Sequence, residues 1–186
     1  MSIYTNIANH IALNPSEREY LDTKLRLKHI PKKTMLLEQG EVAKKFYYVD
    51  QGSLRAFNTN TKGKESTIMF AMKDWWITDM YAFMNQKPAL VSIETLEKCA
   101  LVELDFKAME SVLDKLPKLE RYFRILFQRA YVREQLRVLD NISSDVEQRY
   151  FRFIEKYPDV SRKITQKQLA SYLGVTPEFL SQIKNK

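Results

Sequence analysis

Glycine is scarce in this sequence, with four residues in 186 against the ~7% usual for a soluble domain. A glycine-rich phosphate loop of the dinucleotide or P-loop kind has nowhere to sit, which removes most nucleotide-cofactor enzymes. Cysteine is scarcer still. Cys99 stands alone, so an internal disulfide, a cysteine-ligated zinc site and a four-cysteine iron–sulfur cluster are excluded. A reducing, cytoplasmic setting is the natural reading. The only histidines, His10 and His29, have no second His, Cys or close carboxylate pair in a metal-ligand rhythm, so no metal site is expected. Nowhere do 18 apolar residues stand together, and residues 1–6 carry no basic run leading into an apolar one. Neither a membrane span nor an export signal is expected.

What is present describes a folded chain. Hydrophobic residues make up 45% and charged residues 28%, which matches a packed soluble protein. The formal charge of +7 is unevenly placed: residues 1–105 hold 14 Lys/Arg against 13 Asp/Glu, and 106–186 hold 16 against 10. A basic C-terminal half suits a phosphate-bearing partner, because each neutralised phosphate releases condensed counterions. Charge alone fits a merely soluble surface equally well.

Asn14-Pro15-Ser16-Glu17 supplies an N-cap, a first-turn proline and an acidic residue, predicting a helix through Tyr20 and Leu25 that ends before Pro31. From Thr34 to Leu104 the texture changes. Gly40, Gly52 and Gly63 punctuate apolar and aromatic runs at 45–50, 53–58, 65–71, 89–96 and 100–104, the pattern of a small antiparallel barrel or sandwich. Residues 106–116 read as a short helix, Pro117 restarts the chain, and 118–141 contain neither Gly nor Pro, giving one helix of ~36 Å. Leu119, Phe123, Leu126 and Ala130 recur at helical spacing, and Val132, Leu136 and Leu139 continue with a slip in phase. Six Lys/Arg flank this seam, and a barrel of about 100 residues would leave much of it uncovered; Leu119, Phe123, Leu126 and Ala130 are the candidate dimer seam.

A second unit starts near residue 143. Ser144-x-x-Glu147 reads as a capping box for a helix carrying Val146, Tyr150, Phe153 and Ile154, Thr165-x-x-Gln168 as another, and Thr176-Pro177-Glu178 as a third helix start. Residues 166–185 then form two helices about Gly174, with Leu169, Leu173, Val175, Leu180 and Ile183 buried and Ala170 at the crossing. This is a helix-turn-helix whose second helix turns its polar residues outward. Glu178, Ser181, Gln182 and Asn185 are the base-contact candidates, Gln and Asn for adenine and Glu for cytosine N4. Thr165, Gln166, Lys167, Thr176, Lys184 and Lys186 are candidates for the phosphate backbone.

Taken together, an N-terminal helix, a glycine-punctuated roll containing EQGEVAKKFYYVDQGSLRAF at 38–57, a long helix and a terminal helix-turn-helix resemble the Crp/Fnr transcription regulators over about residues 5–186. The resemblance implies an α+β fold: a β-roll like a cyclic-nucleotide-binding domain (a double-stranded β-helix, 1–116), a dimerisation helix (117–142) and a DNA-binding domain (143–186). It implies a homodimer reading a pseudo-palindromic operator in double-stranded DNA, with RNA polymerase as a further partner, and an effector-type roll able to reorient the DNA domains.

The departures bear on mechanism. Cyclic-AMP-binding relatives carry a Gly-Glu pair and, about ten residues later, an Arg-Ser pair; here these align with Thr78-Asp79 and Ala89-Leu90, so the cation that holds the cyclic phosphate is absent. Cyclic AMP is therefore not expected to bind, no cofactor is expected, and the effector is unknown. The candidate effector pocket comprises Thr78, Asp79, Tyr122 and Phe123, near rings at Phe70, Trp75, Trp76, Tyr81 and Phe83 that read more readily as core. Pro177 and Gln182 stand where cyclic-AMP-responsive relatives carry guanine-reading arginines, whereas Glu178 matches the family's reading glutamate. The two-stranded wing that often follows the reading helix has no counterpart before Lys186. The competing reading is a small-ligand or second-messenger module whose C-terminal helices meet a protein. An enzyme is not expected, since no nucleophile–base pair is visible.

Overall fold

The glycine-punctuated half of the chain folds into two four-stranded antiparallel sheets in the computed structural model, which describes residues 2–184. The strands are β1 (Leu25–Ile30), β2 (Met35–Leu37), β3 (Lys45–Gln51), β4 (Ser53–Thr59), β5 (Glu65–Met72), β6 (Trp76–Ile77), β7 (Ser92–Thr95) and β8 (Cys99–Asp105). One sheet runs β1-β8-β3-β6 and the other β2-β7-β4-β5. Tyr48, Val49, Leu54, Ile93, Leu101 and Val102 are all fully buried; neighbours such as Tyr48 and Val49 point to opposite faces, so both faces of their sheet are covered and the runs are apolar throughout rather than alternating. Arg55 lies inside the second sheet, where Glu94 and Glu65 hold its guanidinium at 2.6 and 2.8 Å and the Phe57 ring lies 4.0 Å beneath it. Those partners offset the desolvation of a buried cation.

The helices are α1 (Ile3–Ala8), α2 (Pro15–Asp22), α3 (Met80–Asn85), α4 (Phe106–Lys115), α5 (Lys118–Ser143), α6 (Val146–Lys156), α7 (Pro158–Ser161), α8 (Gln166–Leu173) and α9 (Pro177–Lys184). Asn14 caps α2 as its sequence requires, with both halves of the capping box present. The helix nonetheless stops at Asp22, and Leu25 opens a strand. Pairing of all six β1 residues with β8, from Leu25 opposite Leu104 to Ile30 opposite Cys99, outweighs a continued helix. Ser144 does not cap α6 either. Asp145 does, accepting the Gln148 N–H at 2.8 Å, while Ser144 takes the extended conformation that ends α5. The short elements α1, β2 and β6 carry no strong local signal and owe their form to pairing and packing.

Gly52 joins β3 to β4 at φ +95°, and a Cβ there would stand 2.6 Å from Cys99 Sγ and 3.0 Å from the Lys98 carbonyl oxygen. Both the left-handed backbone and the missing side chain are therefore needed. Gly52→Ala is expected to lower stability by about 2–4 kcal/mol, from backbone strain and overpacking; a urea midpoint equal to wild type would refute this.

The helical C-terminal unit is continuous with the roll. Phe153, Val160, Leu169, Ala170, Leu173 and Leu180 form its core together with Phe70 and Leu96 of the roll. The Thr67 N–H donates to Ser171 Oγ at 2.6 Å, and Ser171 Oγ reaches the Glu65 carbonyl at 3.3 Å. β5 is a sheet edge, and α8 covers it, protecting ladder groups that would otherwise invite another strand. Glu97 bridges the same two parts, accepting from Ser53 and from Lys163 at 2.8 Å each. Burial alone would raise its pKa, but these two hydrogen bonds hold the carboxyl below its ordinary value.

Candidate functional site

The helix-turn-helix forms as its residues dictate. Thr165 Oγ1 accepts the Gln168 N–H, and the Gln168 side chain accepts the Thr165 N–H, closing the capping box of α8. Gly174 follows at φ +74°, and a Cβ there would meet nothing within 4 Å; the turn needs glycine for its backbone angle and not for space. Thr176 Oγ1 accepts the Phe179 N–H at 3.2 Å and caps α9. Leu180 and Ile183 hold α9 to the core, with Val175 half-buried beside them.

Among the base-contact candidates, Glu178 and Gln182 are exposed and Ser181 is half-buried. Asn185 and Lys186 lie outside the described residues. Thr165, Lys167, Thr176 and Lys184 are exposed around the entry and end of the two helices. Gln166 is committed elsewhere: its amide donates to the Pro177 carbonyl at 2.9 Å and staples the two helices. Phe179, 46% exposed beside Glu178, escaped the sequence reading. A ring at a solvent-facing position of a reading helix offers apolar contact to a thymine methyl.

α5 carries two apolar faces. Leu119, Tyr122 and Phe123 are buried and Leu126 half-buried against the roll of their own chain. Leu119 and Phe123 thus cannot form a seam with a second copy, because their surface is already covered. After Ala130 the phase slip moves the apolar residues to the opposite side of the helix at 100° per residue. There Val132, Leu139 and Ile142 repeat at roughly heptad spacing, with Tyr131, Leu136 and Val138 beside them, and all six are exposed, Leu139 at 60% and Ile142 at 79%.

The roll interior differs from the expected pocket. The structure brings the two aligned pairs together, since the Asp79 carboxylate caps α3 through the Ala82 N–H at 3.0 Å and also accepts the N–H groups of Leu90 and Val91 at 2.6 and 3.1 Å. Asp79 is only 5% exposed. Thr78 donates to the Lys45 carbonyl at 2.9 Å. Tyr122 accepts from Trp76 Nε1 at 2.9 Å and donates to Asn6 Oδ1 at 2.8 Å, and its burial raises the hydroxyl pKa well above its ordinary value. A cavity of about 10 Å³ lies beside Tyr122 and Phe123, between α1, α2, α4, α5 and the β1-β8-β3-β6 sheet, at most the room of one water. The four effector-pocket candidates are structural: a latch, a tie and two core rings. Of the other rings, Phe83 packs between Phe46 and Phe106 and Phe70 against Phe153 and Tyr172, as core, whereas Tyr81 is exposed. Cys99 is buried and hydrogen-bonded to backbone carbonyls, and burial pushes its thiol up in pKa, away from the reactive thiolate. His29 lies exposed on β1. Among the described residues no three His, Cys, Asp or Glu side chains gather as a metal set, and no helix is long and apolar enough to cross a membrane.

Comparison with known proteins adds to this geometry. Residues 27–115 match the cyclic nucleotide-binding domain family. The anaerobic regulatory protein of Aggregatibacter actinomycetemcomitans is 24% identical over 184 residues, covering 92% of this chain and 70% of the relative. The c-di-GMP-responsive global regulator CLP of Xanthomonas campestris superposes with a TM-score of 0.74 at 16% identity, over 92% of this chain and 90% of that one. A transcriptional regulator of the Crp/Fnr family from Eubacterium rectale gives 0.73 at 17% identity, over 93% and 82%. The family match ends at residue 115, whereas the likenesses to these three regulators span 92–93% of the chain.

Proposed function

We propose that the chain is a transcription regulator of the Crp/Fnr type, its residues 27–115 matching the cyclic nucleotide-binding domain family, and that it acts as a cytoplasmic homodimer that reads a pseudo-palindromic operator in double-stranded DNA and does so without cyclic AMP. The observation that carries the DNA reading is the face of α9 beyond the left-handed Gly174 turn. There Glu178, Phe179 and Gln182 project to solvent while Leu180 and Ile183 anchor the helix from behind. In this scheme residues 1–116 are the roll, 117–142 the joining helix and 143–186 the reading domain. The exposed C-terminal stripe of α5 brings two copies together, and that stripe supports the homodimer. No catalytic role is assigned.

Independence from cyclic AMP is supported by two features of the roll. The cation that would neutralise a cyclic phosphate is missing at Ala89-Leu90, and the Leu90 and Val91 N–H groups already bond to Asp79. An anion placed there would meet a carboxylate instead of a guanidinium, a repulsive and desolvated arrangement.

Selection of bound duplexes from a random pool, at two salt concentrations, tests the function. Recovery of an inverted repeat with half-sites about one helical turn apart is expected, with affinity falling steeply as salt rises; recovery of unselected DNA only would overturn sequence-specific reading. Gln182→Ala is expected to cost about 1–3 kcal/mol at a single operator position and to leave the dimer intact. An unchanged base preference in that variant would show that α9 does not read with this residue.

A further inference from the structure

α9 leaves one large apolar side chain in solvent. Leu180 and Ile183 are buried, Glu178, Gln182 and Lys184 are exposed and polar, and Phe179 is apolar and 46% exposed. Among the described residues two other phenylalanines are exposed, and each has an aromatic neighbour. Phe127 stacks on Phe46 with ring centroids 6.4 Å apart, and Phe151 meets Tyr150 edge-on at 5.2 Å. Phe179 has no such neighbour among the described residues and belongs to neither apolar core. Its backbone is nonetheless fixed. The Phe179 N–H donates to Thr176 Oγ1 at 3.2 Å in the cap of α9, and Leu180, next in sequence, is fully buried. At 100° per residue the ring stands about 60° from Gln182 around the helix and about 100° from Glu178. It thus lies in the first turn of α9, on the flank of the face those two residues form.

With α9 as the helix that enters the major groove, the reading on which this rests, we infer that Phe179 is a specificity-determining residue: it covers the 5-methyl group of the thymine paired with the adenine that Gln182 addresses. The N-terminal residues of a reading helix are the ones that reach base edges, which puts residue 179 in range. The apolar group displayed in the major groove is the thymine methyl, and phenylalanine is one of the side chains that contact it. The contact takes ring and methyl out of water together. Phosphate does not account for the ring, since the negative face of an aromatic gains nothing from an anionic oxygen. 5-Methylcytosine carries the same methyl but pairs with guanine, whose O6 and N7 only accept. The Gln182 carboxamide oxygen would then face an acceptor instead of the adenine N6 donor, so ring and amide together select thymine opposite adenine.

The inverted repeat recovered by selection supplies the probe. Each thymine is replaced in turn, in both half-sites, by uracil, which removes the methyl alone, and affinity is read by fluorescence anisotropy at fixed salt. Burying one methyl group corresponds to roughly 4-fold in affinity per half-site and about 15-fold for the two. Wild type is expected to lose about that much at the pair where Gln182→Ala relaxes base preference. There Phe179→Ala is expected to bind the thymine and uracil duplexes within about 2-fold of each other. The ring is exposed, so this variant should keep the thermal midpoint and sedimentation of wild type. 5-Methylcytosine opposite guanine at the same pair is expected to bind wild type about 10-fold or more weakly than thymine opposite adenine. Uracil tolerated at that pair, a uracil penalty undiminished in Phe179→Ala, or 5-methylcytosine accepted as well as thymine would each overturn the assignment. If Gln182→Ala changes base preference while any of these holds, α9 remains the reading helix and only Phe179 loses its role; a selection that recovers no operator overturns both.

Discussion

Leu139→Asp combined with Ile142→Asp is expected to convert the protein from a dimer to a monomer in sedimentation, with far-ultraviolet dichroism unchanged and a thermal midpoint that no longer rises with protein concentration, and to lower operator affinity by about 10²–10⁴-fold. The argument rests on where the stripe lies. Leu139 and Ile142 are among the most exposed apolar residues of the chain, so a carboxylate there is fully solvated in the monomer. In a dimer it would be buried beside its own copy across the two-fold axis, an unpaired charge that the association cannot tolerate. The loss of DNA affinity follows because a monomer can engage only one half-site at a time. Phe123→Ala is the contrasting control: it empties a fully packed position against Trp76, Phe46 and Tyr122 and is expected to cost about 3–5 kcal/mol in stability without first altering the association surface. A double variant that still sediments as a dimer would place the seam elsewhere.

Asp79→Ala is expected to be among the most destabilising single changes in the roll, by about 3 kcal/mol or more. The carboxylate satisfies the first turn of α3 and two successive N–H groups of the loop before β7. Removing it leaves three donors without their acceptor at a partly buried site, each worth about 1–3 kcal/mol when stranded, less whatever relaxation and water recover. Asp79→Asn keeps one acceptor oxygen and should lose clearly less. Denaturant unfolding of the two variants makes the comparison; equal and small losses would show that the latch is dispensable.

The latch illustrates what could not be read along the chain. In the sequence Asp79 is an isolated acidic residue eleven positions from Leu90, and only the return of the chain across the roll places the carboxylate on that residue's N–H. The same holds for the long helix. A phase slip after Ala130 is visible in the spacing, but whether it is a defect in one stripe or the start of a second depends on what covers each face. The roll covers Leu119 and Phe123, and that contact alone turns the later residues into the free surface. The end of α2 departs from its local signal for a related reason, since a good N-cap says where a helix starts while the pairing of β1 with β8 decides where it stops.

The sequence by itself determined the order of parts: a roll cut by Gly40, Gly52 and Gly63, a long helix free of breakers, and two capped helices about Gly174. These signals are local, carried by backbone angles that only glycine adopts freely, by caps within one turn and by the switch of apolar period, so they survive without knowledge of the fold. Tertiary structure alone decided which groups are left over once packing is complete. Burial consumed Leu119, Phe123, Tyr122 and Asp79, and it left the stripe around Leu139 and the outer face of α9 as the surfaces with something still to bind.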